Sequence, residues 1–156
     1  MSLASFNAAA TGDAVAVMMS CCASRRFAAT MAAGRPYPSF AAVEAAISAA
    51  FESLAWDDVL EAMTGHPRIG AQVSGRSAAE QSGVADSSRA ALTAGNLEYE
   101  ELFGHVFLIC AAGLSGEEML AALRERLEND PGTERKVATA ELREITVLRA
   151  RKALGS

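Results

Sequence analysis

Apolar residues recur at every third or fourth position along most of this chain, a spacing typical of helices with one buried face. The clearest stripe follows Ser39 and consists of Phe40, Val43, Ala46, Ile47, Ala50, Phe51 and Leu54. Similar spacing predicts further helices over residues 14–22, 25–33, 56–63, 77–82, 86–102, 115–127 and 133–154. Strand-like alternation and internal repeats are not found. The pattern therefore predicts an all-α fold, a compact single-domain bundle of about eight helices over residues 1–156.

Polar and helix-breaking residues mark the ends of these predicted helices. Asp13 is a candidate N-cap of the first helix, Gly34 ends the second, and the run Asp86-Ser87-Ser88 is a candidate cap further on. Residues 68–76 are polar, contain glycine and lack an apolar period, so we predict a loop there. The apolar run 106–112 fits more than one structure, and the helices around it favour a buried helix or an extended turn.

Composition and charge exclude several classes of partner. Hydrophobic residues make up 51% of the chain and charged residues 21%, as in a globular domain with its own core. The net charge of -5 argues against a nucleic-acid partner. No apolar run approaches the roughly 20 residues that span a bilayer, and the first residues do not resemble a secretory signal. We therefore expect a cytoplasmic protein with no membrane partner.

The cysteines Cys21, Cys22 and Cys110 cannot form a complete set of disulfides, so we expect reduced thiols. Cys22 allows two interpretations. It is either a small buried side chain or a reactive thiol whose pKa is lowered by the nearby Arg25 and Arg26.

His66 is the strongest candidate for proton chemistry, because it follows a predicted helix end and precedes a polar loop. Pro67 restricts the backbone beside it, so the imidazole is presented from a stiff corner. Residue chemistry alone leaves a second interpretation equally open, in which His66 only contacts the last carbonyls of the helix. His105 lies among apolar residues and is interpreted as structural.

Two further groups of side chains suit a polar pocket. Ser77 and Glu80 have the spacing of a capping box, but Gln81 follows them directly on a short helix poor in core residues. Arg149 continues the apolar stripe of Leu142 and Ile145, where a guanidinium needs an anionic partner. The alternative for Arg149 is a side chain that reaches solvent or the helix dipole.

Metal and cofactor signatures are not found in the sequence. Neither histidine has a second histidine four residues later, and no group of His, Cys and carboxylates has the spacing of metal ligands. A phosphate-binding loop, a nucleophile elbow and a dinucleotide fingerprint are likewise not found. The sequence therefore predicts no metal and no cofactor.

Several motifs, in order, resemble the 2-oxo-4-hydroxy-4-carboxy-5-ureidoimidazoline (OHCU) decarboxylase family. They are Arg35-Pro36-Tyr37, His66-Pro67-Arg68-Ile69-Gly70, Ser77-x-x-Glu80-Gln81-x-Gly83, Asn96-Leu97-Glu98-Tyr99, Phe103-Gly104, Phe107-Leu108-Ile109-Cys110, Gly113, Arg126-Leu127-x-Asn129, Glu134 and Glu144-Ile145-x-x-Leu148-Arg149. Each motif is weak alone, but their joint order covers the chain from about residue 35 to 154. Residues 21–26 and 72–76 depart from the family pattern.

The resemblance implies an all-α homodimer that converts this ureido-imidazoline substrate to (S)-allantoin in urate catabolism, without metal or cofactor. It implies that His66 transfers the proton, that Glu80 orients His66 or binds the substrate hydroxyl, and that Arg149 holds the part of the substrate that remains. The other implied substrate-binding residues are Pro67, Ser77, Gln81, Phe107 and Ile109, the last two through backbone groups. Two alternatives are a catalytically silent ureide-binding module and a hydrolase of a related ureide.

Overall fold

The structure is a computed structural model that describes residues 1–64 and 86–155, apart from the side chains of Asp86 and Ser87. The helices in these ranges are α1 (Leu3–Ala8), α2 (Thr11–Cys21), α3 (Arg25–Ala33), α4 (Phe40–Ser53), α5 (Trp56–Met63), α6 (Asp86–Phe103), α7 (Gly116–Arg126) and α8 (Pro131–Ala153). No β-strand occurs in the two described ranges. The prediction of an all-α fold is confirmed.

The described residues divide into two compact units. The first unit contains residues 1–64 and 142–155, and the second contains residues 86–141. Helix α8 contributes its first part to the second unit and its remainder to the first. The assignment of residues 1–156 to one domain stays a prediction.

The first unit is built on α3, which packs against α2 and also contacts α4 and α5. The predicted stripe of α4 is largely confirmed, since Val43, Ile47, Ala50 and Phe51 are buried. The Ser39 hydroxyl accepts a hydrogen bond from the Ala42 N–H at 3.2 Å and so caps α4 as predicted. Near the end of α8, Arg151 pairs with Glu44 of α4 at 3.0 Å.

Three helix starts differ from the predictions. Helix α1 was not predicted, and its N-cap is Ser2, whose hydroxyl accepts from the Ser5 N–H at 3.1 Å. Helix α2 begins before Asp13, which lies in the first turn, where a negative charge favours the helix dipole, and is not the cap. Helix α8 begins at Pro131 and not at Thr133, because proline suits the first helical position and Asp130 accepts from the Thr133 N–H at 2.7 Å.

The Arg-Pro-aromatic element links two helix ends in the first unit. The Arg35 guanidinium donates to the carbonyls of Phe6 and Ala9 near the end of α1, at 2.8 and 2.7 Å. It also donates to the Ala32 carbonyl in the last turn of α3 at 2.8 Å. Carbonyls in the last turn of a helix lack the usual N–H partner four residues later, so a cation is favourable there. In the structure this element therefore has a structural role.

The second unit packs α6 against α7 around a core that includes Tyr99, Phe107 and Leu123. Gly95 allows this close approach, because a Cβ at its position would collide with the Leu123 side chain. Leu97 and Leu102 of α6 are 53% and 56% exposed, so they lie outside this core. The described helix already includes Asp86, one of the residues predicted to cap it.

Residues 106–111 form neither a helix nor a strand, so the buried-helix interpretation of this run is wrong. Gly104 and Gly113 flank the run with φ of 79° and 80°, a conformation that ends α6 and turns the chain toward α7. Two backbone groups in the run form hydrogen bonds with helix side chains: Leu108 with Arg126, and Cys110 with Glu141. Hydrogen bonds with side chains of α7 and α8 thus replace the backbone hydrogen bonds that a helix would supply.

Across the described ranges, no helix combines the length and apolar character needed to cross a bilayer.

Candidate active site

Five of the predicted site residues lie outside the described residues. They are His66, Pro67, Ser77, Glu80 and Gln81. The predicted loop over 68–76 and the predicted helix over 77–82 also lie outside them. The roles expected of these residues therefore stay predictions.

Arg149 lies on the part of α8 that belongs to the first unit. Leu142 and Ile145 on the same stripe are buried, as the spacing predicts, and Arg149 is half-buried. Its positive charge acts on the Cys22 thiol, whose pKa it lowers slightly against the larger effect of burial. Arg149 thus lies close enough to Cys22, the residue after α2, to act on its thiol, while its contact with substrate stays a prediction.

Cys22 is a buried structural side chain, and the reactive-thiol interpretation is wrong. Burial raises the pKa of Cys22 to about 11, although a hydrogen bond with Thr146 lowers it in part. The cations thought to activate it are engaged elsewhere: Arg25 pairs with Glu61 at 2.6 Å and Arg26 with Asp58 at 3.1 Å. Because the thiolate is the nucleophile, this thiol is inert at neutral pH.

The raised pKa of Cys22 predicts a loss of stability in alkali. The folded chain keeps this proton between pH 9 and about 11, whereas the unfolded chain releases it, so the stabilisation is complete below pH 9 and falls as the pH rises. Over that window the loss is about 3 kcal/mol. Cys22→Ser has no thiol to titrate at this position and should lose less stability than the wild type.

This difference is measured by urea unfolding at pH 8 and pH 10.5. Ser53→Ala, which removes an exposed hydroxyl of α4 in the same unit and no titratable group, is the control and should follow the wild type. Equal alkaline losses in Cys22→Ser and the wild type would show that Cys22 does not titrate as inferred.

Phe107 and Ile109 come together in the core of the second unit. The Phe107 ring meets the Tyr99 ring edge-on, with centroids 5.3 Å apart, and the Arg126 guanidinium lies 4.6 Å from its centroid on the ring face. Phe107 is 1% exposed, so its side chain is not available to a ligand. A contact with substrate at this position has to come from the peptide groups, as the family resemblance implies.

Beside this segment lies a buried ion pair, which with a tyrosine forms what we call the Tyr99–Glu134–Arg126 network. Arg126 donates from Nε to Glu134 Oε1 at 2.7 Å, and its second terminal nitrogen, Nη2, lies 2.6 Å from the same oxygen. The Tyr99 hydroxyl donates to Glu134 Oε1 at 2.5 Å. Asn129 donates to Glu134 Oε2 at 3.1 Å. The carboxylate is fully buried and accepts at both oxygens, as a buried charge requires.

The electrostatics of the network keep Tyr99 a hydrogen-bond donor. Burial, and next the hydrogen bond to Glu134, hold the pKa of the Tyr99 hydroxyl far above its usual range. The Arg126 charge acts in the opposite direction with a smaller effect. The hydroxyl therefore keeps its proton and donates to the same Glu134 oxygen as the Arg126 guanidinium.

Arg126 connects this network to the segment that carries Phe107 and Ile109. Its other terminal nitrogen, Nη1, donates to the Leu108 carbonyl at 2.6 Å. Glu141 of α8 accepts from the Cys110 N–H at 3.3 Å. The segment is thus held from two helices at backbone groups two residues apart.

A cavity of about 300 Å³ adjoins this region within the second unit, and Ile109, Arg126, Asn129 and Glu141 line it. Among the residues that the structure describes, no cluster of three or more His, Cys, Asp or Glu side chains is arranged to hold a metal ion. The cavity has the size of a small-ligand site and carries polar groups of both charges.

Comparison with known proteins decides the family. A family model described as OHCU decarboxylase matches residues 7–151, nearly the whole chain. The chain belongs to the OHCU decarboxylase family. The family predicted from the ordered motifs is therefore confirmed.

Individual relatives agree with membership of the OHCU decarboxylase family. The 2-oxo-4-hydroxy-4-carboxy-5-ureidoimidazoline decarboxylase of Amia calva is 33% identical over 133 residues, which cover 78% of this chain and 76% of that protein. The uric acid degradation bifunctional protein TTL of Arabidopsis thaliana is 38% identical over 144 residues. That match covers 85% of this chain but only 44% of the Arabidopsis protein, so the chain spans less than half of it.

Solved structures of similar fold include a crystal structure of OHCU decarboxylase in the presence of (S)-allantoin. It matches with a TM-score of 0.78 and 36% identity, over 88% of this chain and 96% of that one. The crystal structure of (S)-allantoin synthase matches with a TM-score of 0.74 over 99% of this chain and 54% of that one. Its identity is 17%, so it supports the fold alone.

Tyr99, Arg126 and Glu134 belong to the motifs that resemble the family, but the sequence alone predicted no role for them. A signal was present, because Arg126 and Glu134 flank the turn Asn129-Asp130-Pro131-Gly132 that joins two predicted helices. Opposite charges on the two sides of a short helix connection are brought close when the helices fold back.

Proposed function

We propose that this chain is a carboxy-lyase that decarboxylates OHCU to allantoin in the degradation of urate. The observation that carries the proposal is the match of the OHCU decarboxylase model to residues 7–151. The decarboxylase relative from Amia calva and the solved OHCU decarboxylase support the same activity. The reaction and the enzyme class predicted from the sequence agree with the names of these relatives, which supports the proposal.

The chemistry of the reaction defines what the chain must do. The bond between the ring carbon and the carboxylate breaks, carbon dioxide leaves, and the electron pair passes into the adjacent C=N of the ring. A proton then adds to one face of the ring and sets the chirality of the product. Because the C=N group itself accepts the electron pair, the reaction needs no metal or cofactor to do so, which supports the proposal that the enzyme uses neither.

His66 is proposed to deliver this proton, and the product is proposed to be (S)-allantoin. An imidazole has an ordinary pKa of about 6.5, so it can donate or accept a proton near neutral pH. Pro67 fixes the backbone next to His66, which suits delivery to a single face. Glu80 is proposed to orient the imidazole or to bind the substrate hydroxyl.

Arg149 is proposed to bind the part of the substrate that stays after carbon dioxide has left. A guanidinium that held only the departing carboxylate would stabilise the ground state and so would not speed the reaction. Its position at the end of a buried stripe on α8 supports a role in a partly dry site. Ser77 and Gln81 are proposed to add orienting hydrogen bonds, and the peptide groups of Phe107 and Ile109 to complete the site.

The assembly and location of the protein are also proposals. The resemblance to the family supports a homodimer, and a cytoplasmic location stays an expectation from the sequence. The match of one family model to residues 7–151 supports a single domain.

The proposal is tested by giving the purified chain freshly generated OHCU and measuring carbon dioxide release and the optical activity of the allantoin. We expect release faster than in buffer and an optically active product, both unchanged by EDTA. Racemic allantoin at the uncatalysed rate would overturn the proposal. Binding of a ureide without turnover would instead indicate a silent binding module, and consumption without carbon dioxide a hydrolase.

A further inference from the structure

The segment 106–111 belongs to neither a helix nor a strand, so no regular backbone hydrogen bonds fix its conformation. It lies between two glycines with positive φ and is buried at Phe107, Leu108 and Ile109. Buried peptide groups need hydrogen-bond partners, and without a helix or a sheet these come from whatever groups lie around the segment. The conformation of the segment therefore depends on the groups packed around it.

Arg126 contacts both the backbone and a side chain of this segment. Its guanidinium donates to the Leu108 carbonyl at 2.6 Å and lies over the Phe107 ring. On the same planar group, Nε donates to Glu134 Oε1 and Nη2 lies 2.6 Å from that oxygen. Because a guanidinium is rigid, fixing one side of it on a carboxylate also fixes the side that holds the carbonyl.

Glu134 is itself fixed by groups other than Arg126. The Tyr99 hydroxyl and the Asn129 amide donate to its two oxygens. The Tyr99 ring also packs against the Phe107 ring, so one residue supports the carboxylate and the segment together. The chain of contacts thus runs from Tyr99 through Glu134 and Arg126 to Leu108 and closes at Phe107.

Two backbone groups of the segment are anchored by side chains. Leu108 is bound through its carbonyl and Cys110 through its N–H. The peptide groups of Phe107 and Ile109, the two positions proposed to bind substrate, are neighbours of these two anchored groups along the chain.

We infer that the Tyr99–Glu134–Arg126 network is a positioning device that sets the 107–109 backbone for substrate binding. This inference rests on the proposed function, since it requires that the segment contacts the substrate. Its members are positioning residues and not catalytic residues, because they act through the segment. A loosened segment should weaken the binding of substrate and of transition state alike, which raises KM more than it lowers kcat.

The inference is tested with Arg126→Lys and Tyr99→Phe. Lysine keeps the charge opposite Glu134 but lacks the planar fork that also reaches the Leu108 carbonyl. We expect Arg126→Lys to raise KM about tenfold to a hundredfold, with a smaller change in kcat. Tyr99→Phe keeps the ring and loses only the hydroxyl, so its effect on KM should have the same direction and a smaller size.

Two control variants separate positioning from general stability. Arg124→Lys makes the same substitution at an exposed position of α7 and should leave KM unchanged. Leu123→Val shortens a core side chain of the second unit and should lower the unfolding temperature without raising KM. Amide hydrogen exchange of a peptide covering 106–111 is measured on all four variants without substrate. It should become faster in Arg126→Lys, and less so in Tyr99→Phe, but not in the two controls.

The outcomes distinguish this inference from the proposed function. A wild-type chain that does not decarboxylate OHCU contradicts the proposed function, and the inference with it. If the wild type is active, an Arg126→Lys variant with unchanged KM overturns the inference alone. If Leu123→Val raises KM as much as Arg126→Lys does, the inference is also overturned. The increase would then follow from lower stability and not from positioning.

Discussion

Replacing His66 with alanine is expected to lower the rate of OHCU decarboxylation about 10²- to 10⁴-fold, the usual contribution of a positioned general acid or base. The proton would then have to come from water, which reaches the ring without a preferred face. The remaining product should therefore lose optical purity as well as form slowly. No other single substitution considered for this chain is expected to change activity as much.

The His66→Ala result is measured by single-turnover carbon dioxide release, with the optical rotation of the allantoin followed in parallel. Circular dichroism checks that the variant retains its helices. Thr64→Ala is the matched control, because it removes a hydroxyl that bonds the Glu61 carbonyl near the end of α5 without removing an imidazole. A His66→Ala variant with a normal rate and lower stability would support the helix-capping interpretation and remove His66 from the mechanism.

Replacing Glu134 with alanine is expected to have the largest effect on stability, a loss of about 3–5 kcal/mol. The substitution leaves the Arg126 charge buried without its partner, and the Tyr99 hydroxyl and the Asn129 amide lose their acceptor. Domains of this size are stable by about 5–15 kcal/mol, so the loss removes much of the margin. The pair contributes little net energy over an apolar core, but breaking it at one side is costly.

The stability loss is measured by urea unfolding followed by circular dichroism. Glu128→Ala, at an exposed site six residues earlier, is the control and should change stability by less than about 0.5 kcal/mol. Glu134→Gln keeps the shape and one acceptor oxygen and should fall between the two. If Glu134→Ala were as stable as Glu128→Ala, the network would not carry the buried charge in the way inferred.

The sequence predicted helices best where a local signal sets both ends. The bounds of α3 and α5 agree with the predicted ranges 25–33 and 56–63. Ser24 caps α3 and Gly34 ends it, so the information is contained within a few residues. Helix α1 was missed because it has only six residues, too few for an apolar period to show.

The run 106–112 could not be assigned for a different reason. Its apolar residues fit a buried helix as well as any other buried structure. What decides the conformation is a pair of side chains from α7 and α8, Arg126 and Glu141, which bind its backbone groups. These partners are 18 and 31 residues away from the groups they bind, and no local pattern contains them.

For the candidate site, too, the sequence predicted some features and left others open. Ordered motifs were enough to identify the family, because the joint spacing of many weak motifs is specific even when each one is common. The residue chemistry alone also singled out His66 and Arg149, since few side chains suit proton transfer and anion binding. It did not distinguish these roles from helix capping, because capping uses the same groups at the same positions.

By itself, then, the sequence determined the helical class, many of the helix ends and the family, because periodicity, capping and motif order are written along the chain. Only the tertiary structure decided that the Cys22 thiol is buried and inert, and that the Phe107 side chain belongs to a core and not to a pocket surface. Only the tertiary structure shows that Tyr99, Arg126 and Glu134 form one hydrogen-bonded network. Burial and partnership depend on which distant residues fold together, and these set the pKa of a group and the availability of a side chain.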